Sequence, residues 1–469
     1  MRRCIRFPLL LCLLALLCPQ ALAEASEYWP AEIPEDQVAS AAWRLDESDL
    51  QGLSVLSVSP SGRFIAVADR SSINPKTKNA AGVANPLGRL PGAIGLLERQ
   101  GDHYQPYGVV SIDPEAQLEL SSMIGGGCAM AWSPDEMRVV LTGEWGPGSD
   151  TMTYMASAHT NLYLINLEDG NIRRLTENSQ PLEHCVLPRW NGDDAVRYVR
   201  SDYEELWHNA LCEMDLTTGR ETVLADLYSA EGRVCPVTAW QAAREQIYYT
   251  VHAASLDYAG LCASPMGGSE ADARFLVNIA HDLWETGLQP YCLYLTVEVS
   301  ADERWACLNV IDHRIISRDV PLSDDPQHPQ DDPSNAVSAV NGRPWVPCHD
   351  VLLFDVEAEQ LVDPFADATL DPAKAIVTGA CFAPDGQSLL CAVFGDGGPW
   401  TAADFDRTTF WQVGLADGSF PARRVFEAEL AANHWFPKGF RWLEGNVLCI
   451  PTSVPPFNPV EMLQPSAFQ

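Results

Sequence analysis

Residues 56–69 read LSVSPSGRFIAVAD: an apolar stretch, a tight Ser-Pro-Ser-Gly turn, and a second apolar stretch. This is the pattern of a β-hairpin, because Pro fixes the backbone entering the turn and Gly supplies the left-handed residue leaving it. The unit recurs along the chain. It returns as CAMAWSPDEMRVVLTGE at 128–144, CVLPRWNGDDAVRYV at 185–199 and CPVTAWQAAREQIYYTV at 235–251. Further copies are LYLTVEVSADERWACLNV at 293–310, GACFAPDGQSLLCAVF at 379–394 and GFRWLEGNVLCIPT at 439–452.

A second kind of hairpin lies between these copies. The clearest is NLYLINLEDGNIRRLTEN at 161–178, turning at Glu168-Asp169-Gly170, followed by 211–226, 351–363 and 410–426 and by weaker forms near 94–110 and 261–277. Two hairpins make a four-stranded antiparallel sheet, and one such sheet has no means of covering both faces. Stacking successive sheets around an axis covers them and leaves only short edges. The sequence therefore predicts an all-β fold, a β-propeller of four-stranded antiparallel blades. Six full hairpin pairs plus the terminal hairpin favour seven blades, completed by a closing strand near Ser40 to Leu45. Six is the alternative.

SPSGRFIAVAD and LYLINLEDGNIRRLT resemble the WD40-like (PD40) repeats of TolB-type propellers, found also in the propeller domains of prolyl oligopeptidases. The resemblance covers most of residues 50–455, strongly in the first two blades. It implies a fold and no chemistry. About 30 residues precede the first repeat once a leader is removed, too few for the separate N-terminal domain of TolB. The short stretch after the last repeat leaves no room for the oligopeptidases' hydrolase domain. The expected organisation is a signal peptide at 1–23, an N-terminal segment at 24–49, a single propeller at 50–455 and a C-terminal tail at 456–469.

The leader is read from Arg2, Arg3 and Arg6, an apolar run from Phe7 to Cys18, and the small-residue end Ala21-Leu22-Ala23. Cleavage before Glu24 would place the protein outside the cytoplasm, secreted or in the periplasm and cell envelope. It would remove three of the 14 cysteines and leave an odd number, so at least one thiol stays unpaired within the chain. Buried thiols with one or two bridges are expected. A net charge of −33 opposes binding to nucleic acid or to an anionic membrane.

The strands of a blade are named a to d outward from the axis. The a–b and c–d turns then share one rim, and the b–c connections and d–a links share the other. The a–b and c–d turns are short. The b–c connections run from Arg70 to Gly92, Trp145 to Thr160, Ser201 to Asn209, Ile311 to His349 and Gly395 to Thr408. Loops held on a rigid scaffold commonly carry binding. Trp145, Trp207, Trp345 and Trp400 fall in or beside these loops, and Trp284 and Trp435 fall in d–a links. Exposed indoles suit stacking on a sugar ring or anchoring a protein partner. Packing of the loops onto the blades is the plainer explanation of the same residues. Trp132, Trp190 and Trp240 recur near the end of strand a and read as core.

No nucleophile elbow, zinc-binding His pair, phosphate-binding loop or Cys-x-x-Cys motif is present. His313, His328 and His349 lie near Asp324, Asp325, Asp331 and Asp332, but their spacing fits no metal cage. No cofactor or metal is expected. The favoured reading is a non-catalytic propeller that binds a protein, peptide or glycan through its long-loop face. The alternative is an extracytoplasmic hydrolase or lyase acting on a saccharide or peptide. Two carboxylates about 5–10 Å apart near the axis would support that alternative.

Overall fold

The computed structural model describes residues 41–45, 53–69, 93–101, 103–111, 119–120, 130–145, 159–180, 182–203, 208–229, 235–243, 245–252, 259–278, 293–312, 351–362, 364–365, 376–384, 386–394, 407–416, 418–429, 440–443, 447–451 and 460–463. These residues are nearly all strand. In chain order they form β1 (Ala41–Leu45), then β2 (Leu53–Val58), β3 (Phe64–Asp69), β4 (Ala93–Gln100) and β5 (His103–Ser111). Next come β6 (Glu119–Leu120), β7 (Met130–Trp132), β8 (Arg138–Trp145), β9 (His159–Asn166) and β10 (Ile172–Arg174). The following two groups are β11 (Glu183–Trp190), β12 (Ala195–Asp202), β13 (His208–Asp215) and β14 (Glu221–Leu227), then β15 (Val237–Ala242), β16 (Gln246–His252), β17 (Ala259–Pro265) and β18 (Arg274–Asn278). After them come β19 (Leu293–Val299), β20 (Trp305–Asp312), β21 (Val351–Asp355) and β22 (Gln360–Val362), then β23 (Ile376–Phe382), β24 (Ser388–Phe394), β25 (Arg407–Gly414) and β26 (Ala422–Glu429). The chain closes with β27 (Arg441–Leu443), β28 (Val447–Pro451) and β29 (Val460–Leu463).

The pairing is that of a β-propeller. Strands β2 to β5 make an antiparallel sheet in chain order, as do β15 to β18, β19 to β22 and β23 to β26. Strands β7 to β10 and β11 to β14 form two more such groups, joined by one parallel rung between His184 and Thr160. The last sheet has the order β1-β29-β28-β27, so a strand from the N-terminal segment becomes its outer edge. Strand β29 falls in the stretch read from sequence as a tail. The four-residue Val-Glu-Met-Leu run between prolines is too short to carry a periodic signal, and its place is set by pairing with β28.

Each apolar cluster spans two successive sheets. Phe64, Leu96, Trp132 and Leu141 join the first to the second, and Leu162, Cys185, Tyr198 and Cys212 join the second to the third. Val199, Trp240 and Tyr249 link the third and fourth; Leu261, Leu295 and Leu308 link the fourth and fifth. Trp305, Leu353, Leu389 and Trp411 continue to the sixth, and Leu390, Phe410, Phe440 and Leu448 to the last. Core burial here is stacking of sheet on sheet around the fold.

The recurring turn has one conformation. Ser59, Ser133, Ser300 and Ala383 each donate to the backbone carbonyl of the first residue of the next strand, Phe64, Arg138, Trp305 and Ser388 respectively, at 2.8–2.9 Å. Gly62, Glu136, Glu303 and Gly386 occupy the left-handed position, with φ of 70, 58, 63 and 66°. Where Gly is replaced by Glu the turn survives because its hydrogen bonds and the packing of both strands outweigh a backbone cost of roughly 1–2 kcal/mol. The described cysteines, 185, 212, 235, 262, 307, 381, 391 and 449, are buried free thiols, none in a bridge. Among the described residues no helix is long and apolar enough to cross a membrane.

Candidate functional site

Strand register makes seven positions on the innermost strands equivalent. The third residue of each b strand pairs with Ser57, Ala131, Arg189, Gln241, Glu298, Cys381 and Arg441 in turn. Each sheet supplies one. The a strand is the inner edge of its sheet, so these residues form a layer around the axis, close to the a–b turns.

Each member of the layer meets the inner strand of the next sheet. Ser57 Oγ accepts from Trp132 Nε1 at 3.0 Å, and the Ala131 carbonyl accepts from Trp190 Nε1 at 2.9 Å. The Arg189 guanidinium lies 5.2 Å over the Trp240 ring, whose Nε1 donates to the Leu187 carbonyl at 2.9 Å. Gln241 donates through Nε2 to the Val299 carbonyl at 3.2 Å and accepts from Val299 N–H at 2.9 Å. Glu298 Oε2 accepts from Phe382 N–H at 3.3 Å. Trp442 packs on the cluster that contains Cys381, and Arg441 donates to the Val58 carbonyl, returning to the first sheet.

Two of these side chains carry chemistry that the sequence reading did not pick out. Burial raises the Glu298 carboxyl to about 7, opposed by the Phe382 amide and by the Arg189 charge. Desolvation pulls Arg189 below the usual guanidinium value, while the Glu298 charge pushes it up. Aligning the hairpin copies on their turns would have exposed both, since Arg-Trp-Asn and Glu-Val-Ser stand where other copies hold Ala-Trp-Ser or Cys-Phe-Ala.

At the opposite rim, Trp145 is the last residue of β8 and pairs with His159, the first of β9; its indole lies outside the described side chains. Trp207, Trp284, Trp345, Trp400 and Trp435 lie outside the described residues, as do His313, His328 and His349. Described groups near the ends of β9, β11 and β12 form a polar cluster. Buried His184 shares a 3.3 Å hydrogen bond through Nδ1 with Thr160 Oγ1, and burial holds its pKa down at about 4, with His159 adding to the shift. Burial also lowers His159. Beside them Tyr203 donates to Asn209 at 2.7 Å, and His208 Nε2 meets Asp226 at 3.0 Å.

Glu183 and Asp202 are register partners across β11 and β12 at this rim. Glu183 Oε2 already accepts from the amides of Ser179 at 3.1 Å and Gln180 at 3.0 Å, which fixes it to the incoming turn. Among the described residues of the axial layer, Glu298 is the single carboxylate. No group of three or more metal-ligating side chains is found among the described residues.

Comparison with known proteins adds structures and no family. No family model matches the chain, and no curated protein matches it. An oligogalacturonate lyase in complex with manganese is similar at 12% identity and TM-score 0.40, over 69% of each chain. The dipeptidyl peptidase 4 of Porphyromonas gingivalis is similar at 12% identity and TM-score 0.40, over 85% of this chain and 50% of that one, so the present chain spans half of its length. The β-propeller domain of the Trilobed protease from Pyrococcus furiosus is similar at 10% identity and TM-score 0.39, over 91% of this chain and 94% of that one.

Proposed function

We propose that the protein is an exported, non-catalytic propeller of seven blades, TolB-like in its repeats, that binds a protein, peptide or glycan through the rim carrying its b–c connections. One observation supports this most. The b strands β3, β8, β12, β20 and β24 all end at that rim, and the long segments 70–92, 146–158, 313–350 and 395–406 depart from there, while the described a–b and c–d turns stay short. The scaffold is rigid where sheets stack and elaborated on one side only, which is the arrangement of a binding surface. Trp145, Trp345 and Trp400 are the residues assigned to contact in this reading. Export rests on the leader at residues 1–23.

The Glu183–Asp202 pair keeps the lyase or hydrolase alternative specific. A glycan array and a peptide array probed with the mature chain, alongside reducing-end and amine-release assays on the same ligands, separate the two. Saturable binding without turnover supports the proposal. Turnover that disappears in Asp202→Asn overturns it in favour of the alternative.

A further inference from the structure

A second site emerges at the other end of the axis, independent of the long-loop reading. Arg189 is exposed although it sits on the innermost strand of its sheet, one residue before that strand ends at the tight turn. Its guanidinium has neither a hydrogen bond nor an ion pair with any described residue, whereas other arginines, such as Arg63, Arg197, Arg200, Arg274 and Arg424, each hold a carboxylate. Its position is fixed without spending a donor. The guanidinium lies over Trp240, and that indole is held in turn by the Leu187 carbonyl. Leu187 itself has φ of 54°, and the ladder is irregular between Val186 and Arg189, which re-aims the arginine relative to a regular strand.

The surroundings favour one kind of ligand. Within the layer Arg189 and Arg441 stand against Glu298, while the adjoining tight turns carry Asp135, Glu136, Asp193, Asp194, Asp302 and Glu303, in a chain of net charge −33. A polyanion would be repelled by that overall charge, but a single carboxylate matches one free planar fork. Flanking polar groups are occupied: Gln241 by Val299, Glu298 Oε2 by Phe382, and Arg441 by Val58. Arg189 keeps its full set of donors for a ligand.

We propose that Arg189, stacked on Trp240, is a binding site for one carboxylate group at the tight-turn end of the axis. A free small carboxylate and the C-terminus of a peptide share this chemistry. The test is calorimetry of the mature chain with N-acetyl-trialanine, its C-terminal amide, and sodium acetate. The acid is expected to bind at least about tenfold more tightly than the amide, a difference of roughly 1.4 kcal/mol, with Arg189→Gln erasing the preference. Arg189→Lys keeps the charge without the planar fork and should bind the acid several-fold more weakly than the natural residue, which leaves the proposal testable if the Gln variant does not fold. Competition by acetate assigns the site to small carboxylates; binding of the peptide acid without such competition assigns it to a chain terminus. Equal affinity for acid and amide, no binding of either carboxylate, or an Arg189→Lys protein that binds as the natural one overturns it.

Discussion

Arg441 on β27 donates a hydrogen bond to the backbone carbonyl of Val58 on β2, a residue 383 positions earlier in the chain. The last sheet thereby touches the first, as each earlier sheet touches its successor. Strand β1 reinforces the join, pairing with β29 as the outer strand of the last sheet while preceding β2 directly in sequence. Replacing Arg441 with Ala should cost about 1–2 kcal/mol, because a charged donor to a carbonyl is lost at a partly solvated position. A chain starting at residue 50 loses β1, leaves the β29 edge unpaired, and should melt below a chain starting at residue 24. Urea unfolding and calorimetric melting measure the two effects.

Trp240 shows how the sheets are locked together. Its indole is buried at 2% exposure between the third and fourth sheets, and its one donor reaches the Leu187 carbonyl. Trp240→Phe keeps most of the apolar contact and removes the donor, leaving a partly buried carbonyl without its partner. A loss of about 1–3 kcal/mol is expected by urea unfolding. Trp240→Ala should cost more, about 3–5 kcal/mol, since a cavity is added.

His184 makes stability fall in acid. Its folded value of about 4 lies below the unfolded value of 6.5, so the unfolded chain takes up a proton first. Its contribution is complete above pH 6.5 and is lost as pH falls toward 4. His184→Gln should remove that part of the acid sensitivity, up to about 3 kcal/mol between the two limits. Urea midpoints from pH 7 to pH 4 on both proteins test this.

Glu298 acts in the opposite sense. Its folded value of about 7 lies above the unfolded 4.5, so the native state holds the proton longer. The stabilisation is full below pH 4.5 and declines as pH rises through 7. Its side chain is partly exposed, and an effect on the order of 1–2 kcal/mol is expected. Glu298→Gln should flatten the stability profile between pH 4.5 and 7.5.

The repeat legible in the sequence is the one the strands draw. Its turn residues Ser59, Ser133, Ser300 and Ala383 all make the same hydrogen bond across the tight turn, and Trp132, Trp190 and Trp240 lie between sheets as their recurrence suggested. The axial groups were hidden for a physical reason. Arg189 and Glu298 are single charged residues in strands whose alternation is otherwise apolar, and only the register of successive four-stranded groups brings their positions into one layer. The buried imidazole of His184 was equally silent, because its partner Thr160 is on another strand, 24 residues earlier in the chain. Among the described residues Cys185, Cys212, Cys307 and Cys391 fill apolar positions as small hydrophobes, with burial raising each thiol; Cys128, Cys292 and Cys348, which could also form the expected bridges, lie outside the described residues.

The long-loop rim is tested most directly by replacing Trp145, Trp345 and Trp400 together with Ala and repeating the array measurement on the strongest ligand of the natural protein. The proposed binding face predicts at least a tenfold loss of affinity with the melting temperature preserved, roughly 1.4 kcal/mol or more of binding free energy. Undiminished affinity in the triple variant would contradict it.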